Sequence, residues 1–242
     1  MLGFASIATL ALAVAIVGVG SAVQGSIGFG LALLTAPLLE WVDPRLVPGP
    51  LILAVTVLLA LTAHRERHAI DARGLGWILA GRVPGTVIGA LALTGLTAKA
   101  LTVSLGVLVL IGVGISLLSL RLPRTPGLLS FAGLVSGMMG TTAALGGPAV
   151  AILYQHERGA MVRSTLATYF LIGAFMSLGA LYFIGRLGRV ELELGVALLP
   201  GIVGGFLFSR GMGAWLDQGR TRTAVLLLSG LAGLASVIRG LS

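Results

Sequence analysis

Long apolar runs alternate with short polar breaks along the chain, and the runs lack the polar face of a helix that covers a soluble core. No Asp, Glu, Lys or Arg occurs in residues 1–39, 100–120, 125–155 or 164–185. Uncharged apolar runs of about 18 residues or more read as membrane spans. Full spans are expected over 46–63, 74–96, 100–120, 164–185, 192–209 and 223–238, with Arg82 and Pro84 inside the second. The opening segment, 1–20, has no positively charged start and reads as a retained span rather than a cleaved signal.

Two regions do not fit a simple span. Residues 1–39 are uncharged for too long to be one helix and are barely long enough for two. Their middle reads Gln24-Gly25-Ser26-Ile27-Gly28-Phe29-Gly30, and a short apolar piece then ends at Pro37. Residues 125–155 repeat the plan, with Ser136-Gly137-Met138-Met139-Gly140-Thr141-Thr142 followed by a piece holding Gly146-Gly147-Pro148. Each reads as a helix, a glycine-rich break and a second helix of about 12 residues, which rises only about 18 Å and suits a hairpin or re-entrant element.

Aligning Gly25 with Gly137 brings Pro84-Gly85 into correspondence with Pro200-Gly201, each pair in the second full span after its hairpin. The expected fold class is therefore an all-α polytopic membrane protein of two repeats, 1–120 and 123–242. Each repeat is a broken or re-entrant helix hairpin plus three transmembrane helices, and together they form one transport domain. An odd number of spans per half turns the second half upside down. This inverted arrangement places ten basic residues on one side and five on the other, with Arg82 inside a span, whereas four crossings per half gives eight and seven. The positive-inside rule favours the first, with both termini outside the cytoplasm.

Composition narrows the function. Hydrophobic residues make up 57% of the chain and charged ones 10%, against about 25% charged in soluble domains, so a soluble enzyme, a nucleic-acid-binding domain and a disordered chain are excluded. The net charge of +8 sits in arginines of short loops, a pattern of membrane orientation and not of a phosphate-binding stripe, so no nucleic acid partner is expected. With no cysteine there is no disulfide, thiol chemistry or Cys metal site. His64, His68 and His156 stand at loop edges without paired carboxylates and are poor metal ligands. No Walker motif and no Ser/His/Asp set is present, so neither an enzyme nor a cofactor is expected.

Inverted repeats with matched breaks are a signature of secondary transporters, whose substrates bind near the midplane where half-helices meet. The helix N-termini at 29–39 and 141–154 carry partial positive charge and free N–H donors suited to a small anion. The candidate substrate-binding residues are Gln24, Gly25, Ser26, Gly28, Phe29 and Gly30 in the first break, and Ser136, Gly137, Gly140, Thr141 and Thr142 in the second. The alternative for the glycines is close helix packing, and for the polar side chains hydrogen bonding between helices. Arg82 is the one basic residue well inside a span. It either grips the anion through two N–H bonds or snorkels to the loop. Pro84 and Pro200 are expected to kink their helices and are candidate hinges. Glu40, Asp43, Glu157, Glu191 and Glu193 are placed at interfaces, which leaves no protein group obliged to carry a coupling proton.

Gln24-Gly-Ser-Ile-Gly-Phe-Gly followed by Pro37, the degenerate copy at 136–148, and the Pro84/Pro200 pair resemble the TauE/SafE sulfite exporter family of 4-toluene sulfonate uptake permease-like carriers. The resemblance covers essentially the whole chain. It implies an inner-membrane carrier of small sulfur-containing anions such as sulfite, thiosulfate or organosulfonates. The residues alone say only "small and anionic". The second copy lacks the aromatic, because Thr141 stands where Phe29 stands. An anion channel and a non-transport membrane scaffold remain the other readings. Besides substrate and bilayer, a homodimer through the glycine-rich outer faces is allowed.

Overall fold

The computed structural model describes residues 6–27, 30–118, 122–157, 159–212 and 218–241. Among these the chain is helical with no strand, and it is a multi-pass membrane protein. Eleven helices follow in order: α1 (Ile7–Ile27), α2 (Leu31–Val42), α3 (Gly49–Glu66), α4 (Ala72–Gly95), α5 (Ala98–Leu117), α6 (Pro126–Ala143), α7 (Gly147–Tyr154), α8 (Gly159–Phe183), α9 (Arg189–Ala197), α10 (Leu199–Met212) and α11 (Gln218–Leu241). Among the described residues six segments are long and apolar enough to cross a membrane, the opening helix α1 included, while α3, which holds the expected span 46–63, is shorter. Large side chains such as Leu91, Phe131, Phe175, Phe183, Phe208 and Leu231 point outward. A surface of this kind is stable against lipid and not against water.

Local chemistry sets several helix starts. The Asp71 carboxylate accepts from the Gly74 N–H at the start of α4, Thr97 caps α5, and Thr125 with Pro126 opens α6. These side chains satisfy N–H groups that a helix start leaves without partners. Around α4's first turn, Asp71 also receives hydrogen bonds from Arg124 and Tyr154, each at 3.0 Å, and Arg124 pairs with Glu157 at 2.8 Å.

Packing is by close helix pairs: α4 on α6, α1 on α10, α5 on α11 and α3 on α8. Glycine lines three of these crossings. A methyl group added at Gly81, Gly85 or Gly89 of α4 would meet the carbonyl oxygen of Ser130, Leu134 or Met138 of α6. In return, one added at Gly133 or Gly137 would meet those of Ile78 or Arg82. Gly201 and Gly205 of α10 abut Val14 and Gly18 of α1, and Gly106 of α5 faces Gly233 of α11. With no hydrophobic effect to drive helices together in lipid, backbone contact of this kind supplies the attraction.

The breaks lie later than the sequence suggests. α1 continues to Ile27, and Gly30 takes a left-handed conformation (φ 108°) that glycine adopts without cost. α6 is helical through Ser136–Thr142, and the chain turns at Ala144 (φ 61°), Leu145 and Gly146. The Leu145 N–H reaches back to the Met139 carbonyl at 3.1 Å, which together with the left-handed Ala144 closes α6. Gly137 therefore serves packing and not a break. α2 has 12 residues as expected, but α7 has only eight. Pro84 lies within an unbroken α4, whereas Pro200 is the second residue of α10, where the expected single span 192–209 divides into α9 and α10.

The α4–α6 crossing carries a prediction. Gly85→Leu sets a side chain against backbone that cannot give way and is expected to lower stability by about 3 kcal/mol. The readout is the thermal unfolding midpoint of the detergent-solubilised protein. Gly114→Ala, at a position that faces open space, serves as the unaffected control.

Candidate functional site

The α4–α6 contact fixes the backbone of Arg82, because Gly133 and Gly137 abut its N–H and carbonyl groups. From that point the side chain reaches inward and not to the loop. Arg82 is 3% exposed. Its guanidinium lies in a notch over Gly173 of α8, where any side chain would occupy the same space. Nη1 donates to the Tyr169 hydroxyl (3.0 Å) and to Ser136 Oγ (3.4 Å), and Nη2 donates to Ser177 Oγ (3.3 Å). The guanidinium carbon stands 5.0 Å from the centroid of the Tyr169 ring, within cation–π range. Nε is buried without a partner. Every partner of the cation is neutral, an uncommon state for a buried charge.

Arg82 forms part of the wall of a cavity of about 70 Å³, and no carboxylate lines it. The N-terminal turns of both half-helices contribute: Gly30, Ala32 and Leu33 on α2, and Gly146, Gly147 and Pro148 at α7. Ile52, Val55 and Leu59 of α3 and Phe170 and Ala174 of α8 add an apolar side. About 30 Å³ is one water's share of the liquid, so the space suits a few waters or one small ion. The arrangement offers a fixed positive charge, two helix starts and hydroxyl groups to an anion.

The predicted residues separate into groups. Gln24, Gly30, Gly140 and Arg82 line the cavity. Ser136 stands behind Arg82, accepting from Nη1 while donating to the Gly146 carbonyl at 2.5 Å. Thr141 is buried and shares a 2.9 Å hydrogen bond with Ser177. Gln24 does more than line the space. Its Oε1 accepts from the Leu31 N–H at 3.2 Å, so the side chain caps the half-helix start that the sequence left open for a ligand. Gly25 packs on Ser209 of α10, and Gly137 on Arg82. Thr142 turns away, donating to the Met138 carbonyl of its own helix at 2.8 Å and facing a second cavity. Ser26 ends α1 with its side chain outside the described atoms, and Gly28 and Phe29 lie outside the described residues. Pro84 and Pro200 are exposed and do not touch the cavity.

None of the residues singled out from the sequence lies on α8, although 164–185 was expected as a span. Tyr169, Gly173 and Ser177 recur every four residues, which sets them on one face of a helix. This polar and small stripe in an otherwise apolar span holds the guanidinium. The second cavity, about 470 Å³, is lined by Glu40, Arg45, Lys99, Thr102, Arg186 and Arg239 among others. At its rim Asp43 binds Arg45 at 2.6 Å. Burial pushes the Asp43 carboxyl up, but the hydrogen bonds and charge of Arg45 outweigh it and hold the group below the usual carboxylate range. Among the described residues no group of three His, Cys, Asp or Glu could hold a metal.

The family described as sulfite exporter TauE/SafE matches residues 12–236. No curated protein and no solved structure matches the chain.

Ser136 ties α4, α6 and the start of α7 together, which makes it a test of the site's architecture. Ser136→Ala leaves the Gly146 carbonyl and one guanidinium N–H short of a partner, so a loss of about 1–3 kcal/mol is expected. A lower unfolding midpoint in detergent would record it. Thr142→Val, which removes only a bond within its own helix, is expected to shift the midpoint much less.

Proposed function

Because the chain belongs to the TauE/SafE sulfite exporter family, we propose that it is a secondary carrier of a small sulfur-containing anion, bound in the cavity at Arg82. The family is one of membrane transporters and not of enzymes. The observation that carries the reading is the buried guanidinium with neutral partners only and an unpartnered Nε. A fixed, buried cation lacks a counter-charge among the described residues, and a sulfite, thiosulfate or sulfonate supplies one together with oxygens for its N–H groups.

The carrier is built from two repeats, 1–120 and 123–242, inverted with respect to each other, in the inner membrane with both termini outside the cytoplasm. Support comes from the helix pairings. Exchanging the halves turns α4 on α6 into α10 on α1, α1 on α2 into α6 on α7, and α2 on α11 into α7 on α5. The pairs α3–α8 and α5–α11 exchange with themselves. Arg82 has no counterpart in this exchange, since Leu198 stands at the matching position. The substrate site is therefore one-sided within a two-fold scaffold.

Proteoliposomes test the reading. Saturable uptake of at least one of labelled sulfite, thiosulfate or methanesulfonate is expected. Arg82→Gln should lower it by about 10- to 100-fold, the worth of a hydrogen bond to a charged group. Saturation separates a carrier from a channel. Undiminished flux in a folded Arg82→Gln protein would remove Arg82 from the site.

A further inference from the structure

The second cavity holds a carboxyl group that the fold buries. Glu40 reads as an interfacial residue beside Trp41, Asp43 and Arg45, yet in the fold it is 5% exposed. Its Oε1 accepts from Thr102 Oγ1 of α5 at 2.8 Å, while its Oε2 is buried with no partner. No basic side chain among the described residues is paired with it.

Charged groups reach that cavity from several elements, while α3, α4 and α6 line it with uncharged residues only. Arg45 follows α2 and is bound to Asp43. Lys99 comes from α5 and Arg239 from α11. Arg186, beyond α8, donates to the Leu93 carbonyl at 3.1 Å, and Glu191 lies on α9. α1, which also packs on α2, brings no charged residue. A carboxylate without a bonded cation is costly in a membrane protein, and one that takes a proton is not.

The position of Glu40 matters as much as its surroundings. Gly30, Ala32 and Leu33, at the start of α2, line the Arg82 cavity, and Glu40, near its end, lines the second. Ten residues of helix separate the two points by about 15 Å. Between the cavities lies one apolar cluster. Its Ile52 and Ala174 face the first cavity, and its Leu93 and Leu101 the second. One short rigid helix thus touches the anion space with one end and carries an unpartnered carboxyl group in a separate, larger space with the other.

We propose that Glu40 is a proton-binding site whose occupancy is coupled through α2 to the anion at Arg82, so that one proton moves with each anion. This rests on the anion-carrier reading above. The step is a single equilibrium: the carboxyl O–H bond forms from water on one side of the membrane and breaks on the other, and no other reactant is involved. Coupling of this kind has an electrical consequence. Each charge moved across the membrane is worth about 2.3 kcal/mol per 100 mV, and a proton that moves with the anion takes one negative charge off the load in either direction.

The test uses the full-length protein in proteoliposomes with labelled thiosulfate, which stays unprotonated at working pH, so that any moving proton is the protein's. With the membrane potential clamped at zero and the outside about one pH unit more acidic, wild type should accumulate thiosulfate up to about tenfold for each coupled proton. Glu40→Gln should abolish that accumulation while exchange between equal thiosulfate concentrations persists, and Glu40→Asp should restore part of it. Glu193→Gln, at an exposed ion pair, should match wild type. Full gradient-driven accumulation by Glu40→Gln would overturn the proposal. Loss of both accumulation and exchange in Arg82→Gln, with Glu40→Gln still exchanging, keeps the two readings distinct. An infrared titration in detergent needs no transport. A protonated-carboxyl band that vanishes in Glu40→Gln supports the proposal, and its absence at every working pH overturns it even if no sulfur anion is carried.

Discussion

Backbone-to-backbone contact between α4 and α6 is the constraint on which the rest depends. Membrane helices gain nothing by hiding apolar side chains from lipid, so they hold together through close approach and polar bonds. Gly81, Gly85 and Gly89 on one helix and Gly133 and Gly137 on the other let carbonyl oxygens lie where side chains would otherwise stand. The same contact locks the main chain of Arg82 on both sides and so aims its side chain. A site that must hold a flexible cation in one orientation begins here with a rigid backbone.

What surrounds that cation is selected for neutrality. A buried aspartate would pair with Arg82 more strongly than Tyr169, Ser136 and Ser177 do, but it would complete the charge and leave nothing for an anion. Hydroxyl groups orient the guanidinium without neutralising it. The two serines also have another attachment: Ser136 to the Gly146 carbonyl and Ser177 to Thr141. The hydroxyls around the guanidinium thus form a connected network in which a change at one member reaches the rest. Gln24 shows the same economy at the first break, where its amide oxygen satisfies a half-helix N–H that lipid could not.

The spans were legible in the sequence because charge is so scarce that each charged cluster marks a boundary. The breaks were legible in kind but not in place. Glycine serves close packing and chain reversal alike, and Gly25, Gly137 and Gly140 sit just before the turns at Gly30 and Ala144–Gly146. Nothing in one dimension separates the two uses. The Ala144 turn carries a left-handed conformation on a residue that does not favour it, so its residue type gave no signal. Arg82 stood out as a lone charge, while its partners on α8 did not, since Tyr169, Gly173 and Ser177 are ordinary membrane residues until their four-residue spacing is noticed. The enclosure of Glu40 was not legible: neighbouring charges suggested an interface, and only the fold shows that the end of α2 is covered by α5 and α11.

Pro84 follows Arg82 by two residues and faces outward from α4. Proline has no N–H, so the carbonyl of Ala80, four residues earlier, lacks its usual helical donor, and Ala80 is exposed on the same outer face. Hydrocarbon offers no replacement. The span that carries the guanidinium thus has one rung missing on the side that touches acyl chains, at the depth of the charge itself. Whatever lies against that outer face of α4 therefore bears directly on a helix whose inner face holds Arg82.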